Sequence, residues 1–189
     1  MLPTYESDDV LRQRCLLAME GLSNAGTVGS YTYHAIKADA RVKDASVISP
    51  QPGSVAIYVL SIDGNGTPSA DIQQAVQAAV GSDDIRALCD TVSVLAATVV
   101  EYAVDATLIV YPGPDAGVVR QACIDACQQY VTEHHKLGHD ITRSGLFAAL
   151  HQPGVQNVIL NSPAQDLVIG SDQAAYCTGM NVVIGGTDE

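Results

Sequence analysis

Hydrophobic positions along this chain change period several times, and each change predicts an element. Val10, Leu11, Leu16, Leu17, Met19 and Leu22 recur at helical spacing behind Ser7, Asp8 and Asp9, a capping residue and an acidic first turn, so a helix is expected over 7 to 22. Gly21, Gly26 and Gly29 loosen the chain before a second short helical stretch carrying Tyr31, Tyr33, His34, Ile36 and Lys37. The period then shortens. Ala45 to Ser49 and Ser54 to Ser61 are rich in Val, Ile and Ser and flank Pro50-Gln51-Pro52-Gly53, the pattern of a β-hairpin with a proline-stiffened turn. Asp63-Gly64-Asn65-Gly66 closes the second of these strands. Ser69 then caps a helix from Ala70 to Val80, with Ile72, Ala75, Val76, Ala79 and Val80 at helical spacing and Gly81 as its stop.

From Thr91 to Tyr111 the chain is almost continuously Val, Ala, Ile, Leu and Thr, too β-branched for a comfortable helix and long enough for two strands, joined near Glu101 to Val104. Pro112-Gly113-Pro114 ends the run. Asp115 opens a helix to about Lys136 with Val118, Val119, Cys123, Ala126, Cys127 and Tyr130 inward, and Ser144 caps a shorter helix to about His151. Gly154 leads into a strand from Val155 to Leu160, and a last apolar strand runs from Met180 to Ile184 before Gly185-Gly186-Thr187. The second half repeats the first in outline. The fold class expected is α+β: two small layers of mixed or antiparallel sheet packed with helices, preceded by an N-terminal helical segment. The segments are 1–40, 41–95 and 96–189, with the internal boundary near 88 to 98, where no Pro-, Gly- or Ser-rich linker marks it.

Composition narrows the function classes. With 47% hydrophobic and 16% charged residues among 189, the chain can bury a sizeable core. Its net charge of −12, from 21 acidic and 9 basic side chains, repels nucleic-acid phosphate, so no nucleic-acid partner is expected. No apolar run reaches the roughly 18 residues of a membrane helix, and the acidic, polar start is unlike a secretory signal. Neither a membrane partner nor a secreted setting is expected. The five cysteines include no C-x-x-C pair, and Cys123 and Cys127 lie four apart in a helical pattern, as small, reduced core residues would. The sequon at Asn65-Gly66-Thr67 marks only a turn.

The sharpest candidate for chemistry is Glu133-His134-His135-Lys136-Leu137-Gly138-His139-Asp140. On a continuous helix His135 and His139 would share a face at the i, i+4 spacing used by zinc sites. Gly138 should end the helix first, and Lys136 adds an unhelpful positive charge, so a solvated helix end whose His and Lys complement the dipole is the plainer reading. Asp63 and Asn65 imitate the opening of a calcium loop, yet Gln74 stands where a bidentate Glu would be needed. Arg86 beside Asp83 and Asp84, and Arg143 beside Asp140, suggest ordinary surface ion pairs. There is no G-x-S-x-G, and the glycines at 64 and 66 lack the third glycine of a phosphate loop. No nucleophile, base and oxyanion donor assemble, and no catalytic, cofactor-binding or metal residue is assigned.

Three stretches resemble the baseplate J-like family of contractile phage tails and related injection devices. The first holds Glu6-Ser7-Asp8-Asp9, Leu11-Arg12-Gln13-Arg14, Glu20-Gly21-Leu22-Ser23, Ala25-Gly26, Tyr31 and Tyr33-His34-Ala35. It continues through Ala38-Asp39, Val42, Asp44, Val47, Ser49-Pro50, Pro52-Gly53 and Val59-Leu60. The second is Val104, Ala106, Leu108 and Tyr111-Pro112-Gly113-Pro114-Asp115. The third is His135, Leu137-Gly138, Asp140-Ile141, Ser144, Ala148-Ala149-Leu150-His151, Gly154-Val155-Gln156, Val158 and Ser162-Pro163, with Gly185-Gly186-Thr187 at the end. In order, these cover nearly the whole chain.

The resemblance implies a non-enzymatic structural wedge subunit bridging the tail-tube hub to the baseplate periphery, with no cofactor and no catalytic residues. Its partners would be other wedge and hub proteins and tail proteins, with possible weak self-association. It would reside in the virion tail after synthesis in the bacterial host cytoplasm. Family members usually carry a substantial region before the Glu-Ser-Asp stretch, so the chain is expected to correspond to the C-terminal portion. The histidine segment becomes a helix end and turn in this setting. The alternatives are a non-catalytic protein-binding module and a metal-dependent hydrolase using His134, His135 and His139.

Overall fold

The computed structural model describes residues 8–22, 26–113 and 115–189. These form two compact units, Met1–Val99 with Ser171–Ala174, and Val100–Gly170 with Ala175–Glu189. The described residues form five α-helices and two three-stranded sheets, an α+β class.

The first unit opens with α1 (Asp8–Leu17) and a 3-10 turn at Glu20–Leu22, followed by α2 (Val28–Ala38). Thr27 caps α2, its hydroxyl accepting from the Ser30 N–H at 3.2 Å. Strands β1 (Val42–Gln51) and β2 (Ser54–Ser61) then form the expected hairpin. Gln51 faces Ser54 across Pro52-Gly53, and Gly53 adopts φ +76°, a conformation that favours glycine after proline in a tight turn. Helix α3 (Ala70–Val80) carries the chain across to β3 (Thr91–Ala96), which pairs parallel to β2. Ile72, Val76 and Val80 of α3 join Tyr31, Ala35 and Ile36 of α2 over Val42, Ala45, Val55, Ile57 and Val59. Tyr31, almost fully buried, donates to Asp90 at 2.9 Å and accepts from the Ala87 N–H at 3.2 Å, tying the loop before β3 to α2.

In the second unit, β4 (Thr98–Val110) is the central strand between β5 (Val155–Ser162) and β6 (Gln173–Thr187). Tyr102, Val104, Ala106, Leu108 and Val110 alternate inward along β4, the period-two pattern of a sheet with one covered face. Helices α4 (Ala116–His134) and α5 (Arg143–Leu150) supply Val119, Cys123, Cys127 and Val131, and Leu146 and Leu150. Each such aliphatic side chain taken out of water contributes about 1.5–3 kcal/mol before entropy is charged against it.

Several expectations need correction. The helix expected over 7 to 22 ends at Leu17, and Ser7, its expected cap, lies outside the described residues. Gly21, in the 3-10 turn that follows, passes so close to Tyr33 that an added Cβ would fall 2.2 Å from its ring. The 91–111 run breaks at Ala97, not at 101–104, because β3 and β4 belong to different sheets; Glu101 to Val104 are interior to β4. Val118 is 68% exposed, and the inward stripe of α4 runs Val119, Cys123, Cys127, Val131. The second short helix is capped by Thr142, whose hydroxyl accepts from the Gly145 N–H, and Ser144 lies inside it. Ser69 occupies the cap position of α3, but its hydroxyl donates to the Asp71 carboxylate and caps no backbone N–H.

Candidate functional site

The histidine segment sits where α4 ends, and backbone geometry decides its arrangement. His134 is the last helical residue, His135 is the cap, and Gly138 turns the chain with φ +70°. His134 Nδ1 lies 2.9 Å from the Tyr130 carbonyl oxygen, and its ring stacks on Tyr130 at 4.0 Å between centroids, 28° from parallel. A carbonyl only accepts, so this nitrogen holds the proton. His135 turns the other way, its Nδ1 donating to the Ala175 carbonyl at 2.6 Å with its ring edge toward Tyr176. His139 meets His134, edge to face at 6.1 Å. Asp140 accepts from the Ile169 N–H at 2.7 Å, and Tyr130 Oη accepts from the Thr142 N–H at 3.3 Å. These groups close the turn between α4 and α5. Among the described residues, no three His, Cys, Asp or Glu side chains gather where they could hold a metal ion.

Beneath α4 lies the most apolar setting for titratable groups. Cys123 and Cys127 are fully buried, and burial is the main reason the Cys127 thiol is pushed up to about 11, with Cys177 and Cys123 adding to it. Burial raises Cys123 and Cys177 as well, so all three thiols stay protonated at neutral pH and are poor nucleophiles. Tyr102 is 8% exposed; among the described residues its hydroxyl is the buried side-chain oxygen that finds no hydrogen-bond partner. Burial, then nearby Cys177, Cys127 and Tyr130, holds this phenol protonated.

The remaining candidates serve the backbone. At 63–66 the Ser61 N–H donates to the Gly66 carbonyl at 2.7 Å, the Gly66 N–H to the Asp63 carbonyl, and Asn65 Oδ1 accepts from Thr67. This is a turn built by Gly64 and Gly66, both at positive φ. Arg86 reaches Asp83 and the Asp90 carbonyl, not Asp84. Arg143 does not pair with Asp140: its guanidinium donates to the carbonyls of Pro163 and Leu160 and lies over Phe147. Its backbone N–H meets Asp166. Such a buried-backbone role for arginine has no signature in local sequence.

What the sequence pattern missed is surface. Leu11, Leu16, Met19 and Leu22 of the N-terminal apolar stripe are exposed. On β4, Asp105 accepts from Asn161 of β5 at 3.2 Å and from Asn181 of β6 at 2.7 Å, a polar rung across the sheet. Ile159 and Val183 stand exposed on those same two strands. The arrangement offers contact surfaces and structural polar bonds.

Comparison with known proteins agrees with this picture. Residues 23–96 match the model of the baseplate J-like central domain, and residues 102–183 that of the baseplate J-like protein C-terminal domain. Baseplate protein J of Escherichia phage P2 is 47% identical over 184 residues, 97% of this chain; the chain spans 61% of that relative's length. A chain in the cryo-EM structure of the anti-feeding prophage (AFP) baseplate, 6-fold symmetrised, aligns with a TM-score of 0.57 at 14% identity, covering 93% of this chain and 42% of that one; this is a likeness of fold. Two consecutive domain models of one family thus account for most of the residues, and the chain belongs to the baseplate J-like family, carrying its central and C-terminal domains.

Proposed function

We propose that the chain is a structural wedge subunit of a phage or prophage contractile-tail baseplate, and not an enzyme. The observation that carries this is the 47% identity to a phage baseplate protein along 97% of the chain. The chemistry supports it. His134, His135 and Arg143, which might have formed a site, bond to backbone carbonyls, and the thiols beneath α4 are held protonated. A wedge subunit needs rigid domains and several contact surfaces, and both units here have their own cores. Its partners are other wedge and hub proteins and tail proteins; it resides in the virion tail, after synthesis in the host cytoplasm. The chain has no Trp, eight Tyr and one Phe, so large aromatic anchors are scarce and each pairwise affinity is modest.

Mixing the purified chain with each protein encoded in the same tail cluster, and following association by analytical ultracentrifugation, tests this directly. Micromolar-range binding to at least one other wedge protein is expected. Absence of binding to every protein of the cluster would overturn it.

A further inference from the structure

The α1 segment carries apolar side chains on two sides. Leu17 packs on the first core. Leu11, Cys15 and Leu16, at i, i+4 and i+5 on α1, lie exposed, and Met19 and Leu22 in the turns that follow extend them. Leu16 is 82% exposed and Met19 and Leu22 each 76%, while a shallow apolar groove runs along Leu11, Arg12, Cys15 and Leu16. A contiguous stripe of this kind marks an interaction surface more often than chance exposure does.

We propose that this stripe is a helix-docking seam whose occupant is an amphipathic helix from the region that precedes the central domain in the longer proteins of this family. Three observations select that occupant. The central-domain match begins at residue 23, so α1 and the 3-10 turn lie ahead of it and outside both domain models. The P2 relative nonetheless matches 97% of the chain, so it shares most of this segment, and about 39% of its own length lies beyond the match. Since the matched domains are the central and C-terminal ones, that further region stands on the α1 side. The geometry selects a helix: Leu11, Cys15 and Leu16 stand at helical spacing on α1, whose ten residues span roughly 15 Å, and such a surface accepts the ridge of a second helix, whereas a strand laid there would leave backbone groups unpaired. The occupant would bring Leu, Ile or Met at i, i+3, i+4 and i+7, as in other helix-in-groove contacts. The inference rests on family membership and stands apart from the wedge-binding test above.

The test uses Cys15 as a reporter within the stripe. In a Cys89→Ser, Cys177→Ser background, maleimide labels Cys15 of this chain freely, while buried Cys123 and Cys127 report that the second unit is folded. Fusing the unmatched region of P2 baseplate protein J ahead of residue 1 should slow Cys15 labelling at least about tenfold, and Leu16→Asp with Leu22→Asp should restore it. Should the fusion fold poorly, shown by Cys123 and Cys127 becoming reactive, the same readout is taken in intact P2 baseplate protein J with a single cysteine at the position aligned with Leu16. Unchanged labelling in the folded fusion or the intact relative overturns the proposal. So does slow labelling in this chain alone that Leu16→Asp relieves together with loss of a dimer, which would assign the seam to a second copy.

Discussion

Gly145→Ala sets two opposed effects against each other in the second unit. Within a helix, alanine is favoured over glycine by about 1 kcal/mol, so an exposed position would gain stability. Gly145 is instead the place where α5 passes over Tyr130: an added Cβ would lie 2.5 Å from Tyr130 Oη, 2.6 Å from Cε2 and 2.7 Å from Cζ. Contacts of this kind settle near 3.5–4.0 Å, so the ring must retreat by roughly 1 Å. It has little room to do so, since its ring stacks on His134 and its hydroxyl accepts from the Thr142 N–H. Overpacking costs about 1–3 kcal/mol, and loosening the Thr142 bond adds about 1. Sterics therefore win, and Gly145→Ala should destabilise by about 1–3 kcal/mol in urea denaturation followed by circular dichroism. In a Tyr130→Leu background the same change should be neutral or stabilising, which isolates the contact as a double-mutant cycle does. An alanine variant as stable as the parent, or a cost that persists without the Tyr130 ring, would refute this reasoning.

Further outcomes follow from caps, thiols and the histidine turn. Asp115→Ala and Thr142→Ala each remove a side-chain acceptor from a helix N-terminus and should cost about 1 kcal/mol in the same denaturation assay. Cys127 has a folded pKa of about 11 against an ordinary 9.0, so the unfolded chain loses its proton first. Stability is then fully present below pH 9 and falls as pH rises through 11, by an amount on the order of 2–3 kcal/mol; a melting temperature unchanged from pH 8.5 to 11 would contradict this. Elemental analysis of the purified chain should find no stoichiometric transition metal, and EDTA should leave its melting temperature unchanged; about one zinc per chain, lost in His135→Ala, would overturn that.

Local signals were legible where a single residue type decides the backbone. Pro52-Gly53 marked the hairpin, Asp115 the start of α4, and Gly138 the turn that separates His135 from His139. The 91–111 run reads as two strands, but their junction is illegible because Val, Thr and Ala look alike in either sheet; what ends β3 at Ala96 is its parallel pairing with β2, a contact across more than thirty residues of sequence. The first half of β6, from Gln173 to Gly179, carries no strand signal, since its polar and small residues show no strong alternation, and its place beside β4 is what makes it a strand. Helical spacing in α1 was correctly apolar, yet spacing alone cannot say which side finds a core: Leu17 does, and Leu16 does not. Arginine roles were likewise illegible, because Arg143 is held by carbonyls seventeen and twenty residues away.

The central claim is that this chain occupies a baseplate. Its most direct test is to place a gold-binding tag after Glu189, express the tagged chain together with the tail cluster that encodes it, and image purified tails by electron microscopy. The account predicts gold confined to the tail end that carries the baseplate, in a ring around the tube. Assembled tails that carry no gold there, while the tagged chain stays in the unassembled fraction, would contradict it.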